Sequence, residues 1–430
     1  MNDDRDSRIR GLSRRSALQM LAAGATFGIT GLAGCSGNGG DGGDGGTTDG
    51  GSQEPVSIGL QVEQTGALSS WGFWHERIIT NYVEELNNNG GIDGREVELY
   101  TEDTGSESQQ GIQAFRALVE RENVDFVIGS QSSGISIATN PLAKQLEVPY
   151  FPLGEAPSIT GSDGNRWVIR NTHDSAQVVS HVVNHALGRG ENWTVIYQDY
   201  SFGQQFRDLT VSFTENESPS IVEEIGVPVG ETDLTSYLNQ VPDETDVLIN
   251  ALVAGSAINF LSQTSELDVP GDRIGDVTSI EGVDIGGLGE GADGAEFISA
   301  YPRRFESNPT DANERIRELA GVDDTDNVLV GSHYINSFEA LSWIRDGVEE
   351  TGWSSPDDHQ EFVQWFEGGP SKEESIVYPQ GEGFFRGADH QCFMNQFVER
   401  ITDGQLELVD EISVNEPMYK PSANLADQSF

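Results

Sequence analysis

The segment "VDFVIGSQSSGISIATNPLAKQLEVPYFPL", residues 124–153, places two short apolar runs on either side of a longer stretch of mixed polarity. The runs Val124–Gly129 and Val148–Leu153 are rich in β-branched and aromatic residues, which predicts strands. Between them, a helix is expected to begin near Gly134, just after a pair of serines. A strand, a helix and a second strand in this order predict part of a parallel sheet covered by helices.

The same alternation continues on both sides of this segment. Strands are predicted at "VSIGLQV" (56–62) and "REVELYTED" (95–103), with an amphipathic helix at "HERIITNYVEELNN" (75–88) between them. A second set follows, with strands at "WTVIYQ" (193–198) and "TDVLINAL" (245–252). The pattern predicts an α/β fold of two doubly wound lobes, and the last third of the chain is expected to return and complete both.

The chain is strongly acidic. It has 24 Lys and Arg against 71 Asp and Glu, a formal net charge of -47. Such a surface repels the phosphates of nucleic acids, so DNA and RNA are excluded as expected partners. In molar salt the Debye length falls to about 3 Å, which suppresses self-repulsion. We therefore interpret the acidity as a solvated surface suited to a halophilic source.

The N-terminus has the pattern of an export signal. Arg14 and Arg15 precede an uncharged, mildly apolar stretch that ends in Leu32-Ala33-Gly34-Cys35. This ending resembles the lipobox of bacterial and archaeal lipoproteins, which implies that Cys35 carries lipid; a permanent anchor helix is the alternative. The Gly- and Asp-rich residues that follow contain nothing to bury, which predicts a disordered tether. The only other cysteine, Cys392, is expected to be a buried small apolar residue.

No motif of an enzyme or of a metal site is complete in the sequence. The chain lacks a GxGxxG after a strand, a Walker loop, HExxH and GxSxG. His181 and His185 have the spacing of two metal ligands on one helix, but no further His or Cys is placed to complete a site. We expect helix-surface histidines there, no metal, no cofactor and no catalysis.

Several motifs together resemble one family, the type I solute-binding proteins of ABC importers, in particular the branched-chain amino acid (Leu/Ile/Val)-binding group. In chain order they are "IGLQVEQTGALSSWG", "NNNGGIDGREVELYTEDTGS", "VIGSQSSGIS", "VPYFPLGEAPSIT", "DYSFGQQF" and "SIEGV". The resemblance covers about residues 55–430. It implies a type I periplasmic binding protein fold, in which a hinge joins two Rossmann-like lobes.

The resemblance and the composition together divide the chain into four parts. The parts are a twin-arginine signal with lipobox (1–34), the lipidated cysteine with its linker (35–54), an N-terminal lobe (55–174 and 300–376) and a C-terminal lobe (175–299 and 377–430).

The resemblance also implies a ligand site at the ends of strands. In the family an aromatic side chain forms a wall, the turn after a strand supplies hydroxyl and backbone groups, an aromatic of the second lobe closes over the ligand, and an acid pairs with an α-ammonium group. The matching residues here are Trp71, Ser132, Ser133, Leu153, Gly154, Glu155, Phe202 and Glu281.

Two positions depart from the amino acid pattern of the family. Glu155 stands where threonine is usual, and an aliphatic residue near Val253 replaces an aromatic one. If Glu155 and Glu281 both face the cleft, two negative charges favour a cationic, amine or amide ligand over a plain carboxylate.

The expected function is therefore that of a lipid-anchored receptor on the outer face of the cytoplasmic membrane. It would capture a small polar metabolite, such as an amino acid or related compound, by hinge closure and deliver it to ABC permease subunits. A ligand-sensing subunit without transport is one alternative, and a secreted, membrane-tethered hydrolase is a further one.

Overall fold

The computed structural model describes residues 54–430, except 216, 282–284, 302–310, 323–332, 374, 376–377, 380 and 415–418. The predicted signal, Cys35 and the tether lie outside the described residues. Within the described residues, no helix is both long enough and apolar enough to cross a membrane.

The first lobe is built on a parallel sheet with the strand order β2-β1-β3-β4. Strand β3 is buried at all four positions, as expected for a strand covered on both faces. The elements are β1 (Val56–Val62), α1 (Ser69–Asn88), β2 (Val97–Asp103), α2 (Ser108–Arg116), β3 (Phe126–Gly129), α3 (Ser133–Leu146) and β4 (Tyr150–Phe151).

The second lobe contains a seven-stranded sheet, five strands of which come from one continuous stretch of chain. Alternate residues of its central strands belong to different apolar clusters: Val195 and Val247 to one, Ile196 and Leu248 to the other. Both faces of this sheet are therefore covered. The elements are α4 (Ser175–Ala186), β5 (Asn192–Gln198), α5 (Ser201–Thr214), β6 (Ser220–Val227), α6 (Thr235–Leu238), β7 (Val247–Ala251), α7 (Ala254–Glu266), β8 (Asp272–Asp276) and β9 (Glu296–Ser299).

The last third of the chain returns to both lobes, as expected. Helices α9 and α10 pack in the apolar cluster of the first lobe, and strands β13 and β14 extend the second sheet beyond β9. The elements are α8 (Asp311–Ala320), α9 (Asn336–Thr351), α10 (His359–Glu367), β10 (Ser371–Lys372), β11 (Gly383–Arg386), β12 (Gln391–Met394), β13 (Gln396–Thr402) and β14 (Gln405–Ile412).

The predicted lobe boundary at residue 377 assigns all later residues to the second lobe, but part of this segment packs with the first lobe. Phe385 and Cys392, on β11 and β12, belong to the apolar cluster of the first lobe, and Phe430 packs against the same cluster. Only β13 and β14 join the second sheet. The apolar side chains of β11 and β12 place these strands with the first lobe. Cys392 is fully buried, as predicted.

Candidate functional site

The turn after β3 places two serines at the carboxyl edge of the first sheet. Gly129 has a φ of 110° there, and a Cβ at this position would lie 1.9 Å from the carbonyl oxygen of Gln61, so the turn requires glycine. Helix α3 then begins at Ser133. The side chain of Ser132 forms no capping hydrogen bond, so the first N–H groups of α3 are not satisfied by that hydroxyl.

Ser133 connects this turn to the turn after β4. Its hydroxyl oxygen accepts hydrogen bonds from the backbone N–H groups of Glu155 and Ala156, both at 3.1 Å. Gly154 lies against the same helix, where a Cβ would meet the Cα of Ser133 at 2.8 Å, so no larger residue fits. The side chain of Leu153 is buried in the first-lobe cluster. Ser133, Gly154 and Leu153 therefore fix the position of Glu155.

The carboxylate of Glu155 is buried between two imidazoles. Its Oε1 lies 3.0 Å from Nε2 of His173 and directly contacts Nε2 of His333. Burial by itself would raise the pKa of Glu155, but the His333 and His173 imidazoles outweigh it and hold this pKa well below its ordinary value. Glu155 is therefore an anion in the folded protein.

His333 joins the two lobes. It lies just before α9 of the first lobe, and its Nδ1 contacts the carboxylate of Glu281, which follows β8 of the second lobe. Burial opposes protonation, yet the negative charges of Glu155 and Glu281 raise the pKa of His333 well above its ordinary value. The two carboxylates therefore share one imidazolium.

Asp276 adds a third buried carboxylate at the end of β8. Burial raises its pKa to about 6, and the negative charge of Glu155 contributes to the same shift. Its Oδ2 accepts a hydrogen bond from Thr278, whereas Oδ1 has no partner among the described residues.

Trp71 forms a wall on one side of the cluster. Its ring stacks on the imidazole of His333, with centroids 5.5 Å apart and an interplanar angle of 30°. One turn further along α1, His75 hydrogen-bonds Ser337 at 3.3 Å and Gln131 at 3.2 Å. Burial, and then the positive charge of His333, lowers the pKa of His75 to about 4.

The negative charge of Glu155 acts on Tyr200, just before helix α5 of the second lobe, and the predicted ligand contact of Phe202 stays a prediction. Burial raises the pKa of Tyr200 to about 12, and the charge of Glu155 adds to this effect. Phe202 packs against both Tyr200 and Phe206, with ring centroids 6.1 Å and 6.0 Å apart, and lies against the core of its own lobe.

The structure thus joins Trp71, Glu155 and Glu281 through His333, and links Ser133 to Glu155. Sequence reasoning missed His173 and His333. The available signal was that the chain has only seven histidines and that each of these two stands two or three residues before the first residue of a helix.

The histidines singled out by their spacing do not form a pair. His181 is buried rather than on the helix surface, because its Nδ1 donates to the carbonyl of Gln177 at 2.6 Å inside the lobe. His185 lies 2.7 Å from the carboxylate of Glu296. Among the residues that the structure describes, the side chains that converge with the donor set of a metal site are Glu155, His173 and His333, whose ligand-type atoms all lie within 4.8 Å of one another.

Curated relatives match part of the chain. Leu/Ile/Val-binding protein homolog 7 of Brucella abortus (strain 2308) is 27% identical over 222 residues, 49% of this chain and 55% of that protein. The chemotactic signal transduction system substrate-binding protein BasB of Halobacterium salinarum is 31% identical over 166 residues, 36% of this chain and 40% of that protein. The alignments therefore span about half the length of these relatives or less.

Solved structures match the fold over most of the chain. A solute-binding protein of an ABC transporter from R. palustris, in complex with benzoate, superposes with a TM-score of 0.71 at 15% identity, covering 87% of this chain and 100% of that one. The substrate-binding protein LivJ from Streptococcus pneumoniae, in complex with isoleucine, has a TM-score of 0.67 at 17% identity, covering 83% and 99%. These likenesses show the two-lobed fold.

The family model for periplasmic binding proteins matches residues 55–405. This match includes most of both lobes and every residue of the cluster around His333. The chain therefore belongs to the periplasmic binding protein family.

Proposed function

We propose that this protein is an extracytoplasmic receptor that captures a small polar solute between its lobes and delivers it to an ABC permease. One observation carries the proposal: the strand ends of both lobes bring Glu155 and Glu281 to the same buried imidazole. Ligands of open α/β sheets bind outside the carboxyl ends of strands. Closure of the lobes around a solute there would exclude water, and the permease would recognise the closed form.

The site favours an amino acid or a related carboxylate. The N–H groups at the start of α3 and the hydroxyl hydrogen of Ser133, whose oxygen already accepts two bonds, suit a carboxylate. Trp71 offers an apolar wall beside it. The sequence predicted a cationic ligand on the condition that Glu155 and Glu281 both face the cleft as unpaired negative charges. The His333 imidazolium offsets one of these two charges. We therefore include zwitterions and aromatic acids in the ligand class.

We also propose that the protein is exported through the twin-arginine pathway and held at the outer face of the cytoplasmic membrane by lipid on Cys35. The lipobox-like ending before Cys35 and the acidic composition, with a net charge of -47, support this location in a halophilic archaeon. The tether would allow the lobes to reach a permease nearby in the same membrane.

Ligand sensing without transport is a second candidate function. It is favoured by the similarity to the Halobacterium salinarum protein, which is named as part of a chemotactic signal transduction system. The same two-lobed fold serves either role. Neighbouring permease and ATPase genes would support import, whereas a neighbouring transducer gene would support sensing.

A thermal-shift panel tests the receptor function. The full chain, purified in molar KCl, is heated with amino acids, polyamines, amides and aromatic acids in turn. We expect at least one class to raise the melting temperature with increasing concentration, because a ligand that binds only the folded state stabilises it. A panel without any shift would contradict the proposal.

Two variants of α1 localise the binding. Trp71→Ala should lower the affinity for the ligand found in the panel by about tenfold or more, because it removes the aromatic ring that stacks on His333. Phe73→Ala, at a side chain that is 52% exposed on the same helix, is the matched control and should bind as the wild type does. Equal losses in both variants would place the ligand elsewhere.

A further inference from the structure

We propose that Glu155, His173 and His333 together bind one divalent transition-metal ion, and that the captured solute coordinates this ion through its carboxylate. The inference rests on the proposed receptor function for its second half. The first half, the metal site, stands on the geometry of the cluster alone.

The three side chains offer a donor set that imidazole-preferring metals use. One ligand-type atom from each of Glu155, His173 and His333 lies within 4.8 Å of the other two, and all three residues are buried. Two imidazoles and one carboxylate suit Zn²⁺, Ni²⁺, Co²⁺ or Fe²⁺, whereas Ca²⁺ and Mg²⁺ prefer oxygen ligands alone. Bonds of roughly 2.0–2.2 Å hold two ligands of one ion no more than about 4.4 Å apart, so the three side chains would adjust slightly around the ion. It would replace the direct contact of Glu155 with His333.

Glu281 fixes the orientation of His333 that such a site needs. The carboxylate of Glu281 contacts Nδ1 of His333 and also accepts the backbone N–H of His333 at 3.2 Å. A carboxylate behind a ligating imidazole holds the ring and directs its other nitrogen toward the metal. Glu281 belongs to the second lobe, so the ion would be bound with full strength only when the lobes are closed.

The buried carboxylates around the cluster also favour binding of a cation. Three carboxylates, those of Glu155, Asp276 and Glu281, are buried with two imidazoles. Oδ1 of Asp276 is buried and has no partner among the described residues. Arg170, which donates to the carbonyls of Gly154 and Ala156, is already paired with Asp174. A divalent ion would balance this excess of buried negative charge.

Three protein ligands leave coordination positions open. In zinc proteins, sites with three protein ligands hold a water or a substrate in the next position. The N–H groups at the start of α3 lie on the Ser133 side of Glu155, where they would bind the second oxygen of a carboxylate whose first oxygen is on the metal. The solute class is therefore an anion that chelates metals, such as an amino acid or hydroxy acid.

Metal titration of the full chain tests the site. The protein is stripped with EDTA in molar KCl, freed of chelator and titrated with Zn²⁺ alone by calorimetry, and with Co²⁺ alone by visible absorption. We expect saturation at one ion per chain and a cobalt spectrum of low coordination number. A wild-type protein without saturable binding would overturn the proposal, and the cluster would then be an imidazolium held between carboxylates.

Variants assign the ligands. His173→Gln and Glu155→Gln should each weaken Zn²⁺ binding by about 100-fold or more, and Glu281→Gln by about 10–100-fold, as for an orienting carboxylate. His359→Gln, at a buried histidine stacked on Trp353, is the control and should leave the affinity unchanged. Circular dichroism in the same buffer shows whether each variant is folded. Wild-type affinity in folded His173→Gln and Glu155→Gln would place the ion elsewhere and overturn the assignment.

Solute binding, measured with EDTA and with Zn²⁺, separates this inference from the receptor function. A solute affinity at least tenfold higher with Zn²⁺ supports the whole proposal. Equal solute affinity in both conditions overturns coordination of the solute but leaves the receptor function intact. If the protein binds Zn²⁺ stoichiometrically but binds no solute of the panel, the result supports the metal site and contradicts the receptor function.

Discussion

At the scale of single residues, a hydroxyl and a buried imidazole organise the site. Ser133 aligns the backbone of Glu155 and Ala156, while His333 connects acids of the two lobes. The family resemblance singled out Ser133 as a ligand residue, whereas its bonds to the turn after β4 are seen only in the structure. The sequence could not predict His333, since Glu155 and Glu281 are 178 and 52 residues away from it along the chain.

Ser133→Ala should destabilise the protein by about 1–3 kcal/mol, because two backbone N–H groups lose their acceptor. Denaturant unfolding in molar KCl measures the change. Ser132→Ala is the matched control: this side chain forms no cap, so a change within about 0.5 kcal/mol is expected. A larger loss in the control than in Ser133→Ala would show that the wrong hydroxyl is assigned.

At the scale of elements, hydrophobic periodicity predicted the central strands and the longest helices. Strand β1 runs from Val56 to Val62 as predicted, and α1 ends at Asn88 as predicted, although it begins at Ser69, before the predicted start. The predicted strand at 148–153 is reduced to the pair Tyr150–Phe151, because the chain turns there to place Gly154 and Glu155 against α3. Short edge elements depend on such tertiary contacts rather than on local pattern.

His359, the first residue of α10, should make the first lobe sensitive to acid. Burial lowers its pKa to about 4 from 6.5, so the folded protein favours the neutral ring. Between pH 6.5 and about 4 the unfolded chain binds a proton at this ring and the folded protein does not. The free energy of unfolding therefore falls over this range, by at most about 3 kcal/mol.

The variant His359→Phe keeps an aromatic ring against Trp353 and cannot titrate. We expect its free energy of unfolding to fall less than that of the wild type between pH 6.5 and 4, as measured by denaturant unfolding at each pH. Parallel curves for the two proteins would contradict the assignment.

At the scale of the whole molecule, the chain passes between the lobes near residues 171–174, 299–300 and 395, and after β14 it returns to the first lobe, where Phe430 packs. The contact of Glu281 with His333 is a further link between the two lobes. Lobe motion about such crossings is the usual means by which a two-lobed receptor closes on a ligand.

Glu281→Ala should shift the ligand-free protein toward an open form, because it removes an ion pair between the lobes. Small-angle X-ray scattering should show a larger radius of gyration than for the wild type. Glu296→Ala is the matched control, since Glu296 pairs with Arg189 and Arg400 within the second lobe. A larger radius of gyration in the control alone would contradict the proposal that the ion pair of Glu281 with His333 holds the lobes together.

Salt should stabilise the chain as a whole. With a net charge of -47, the folded surface repels itself at low ionic strength, and this repulsion is screened once the Debye length falls from about 10 Å at 0.1 M to about 3 Å at 1 M. The melting temperature should therefore rise steeply over this range of KCl. Sucrose at matched osmolality is the control, and an equal effect of sucrose would exclude charge screening as the cause.

The sequence by itself determined the alternation of strands and helices, the two lobes, and the turns that carry Ser133, Glu155 and Glu281. These depend on residue patterns within about thirty positions. Only the tertiary structure decided that His173 and His333 meet Glu155, and that β11 and β12 pack with the first lobe. The physical reason is that burial and charge pairing join segments far apart in the chain, and local pattern does not record such pairings.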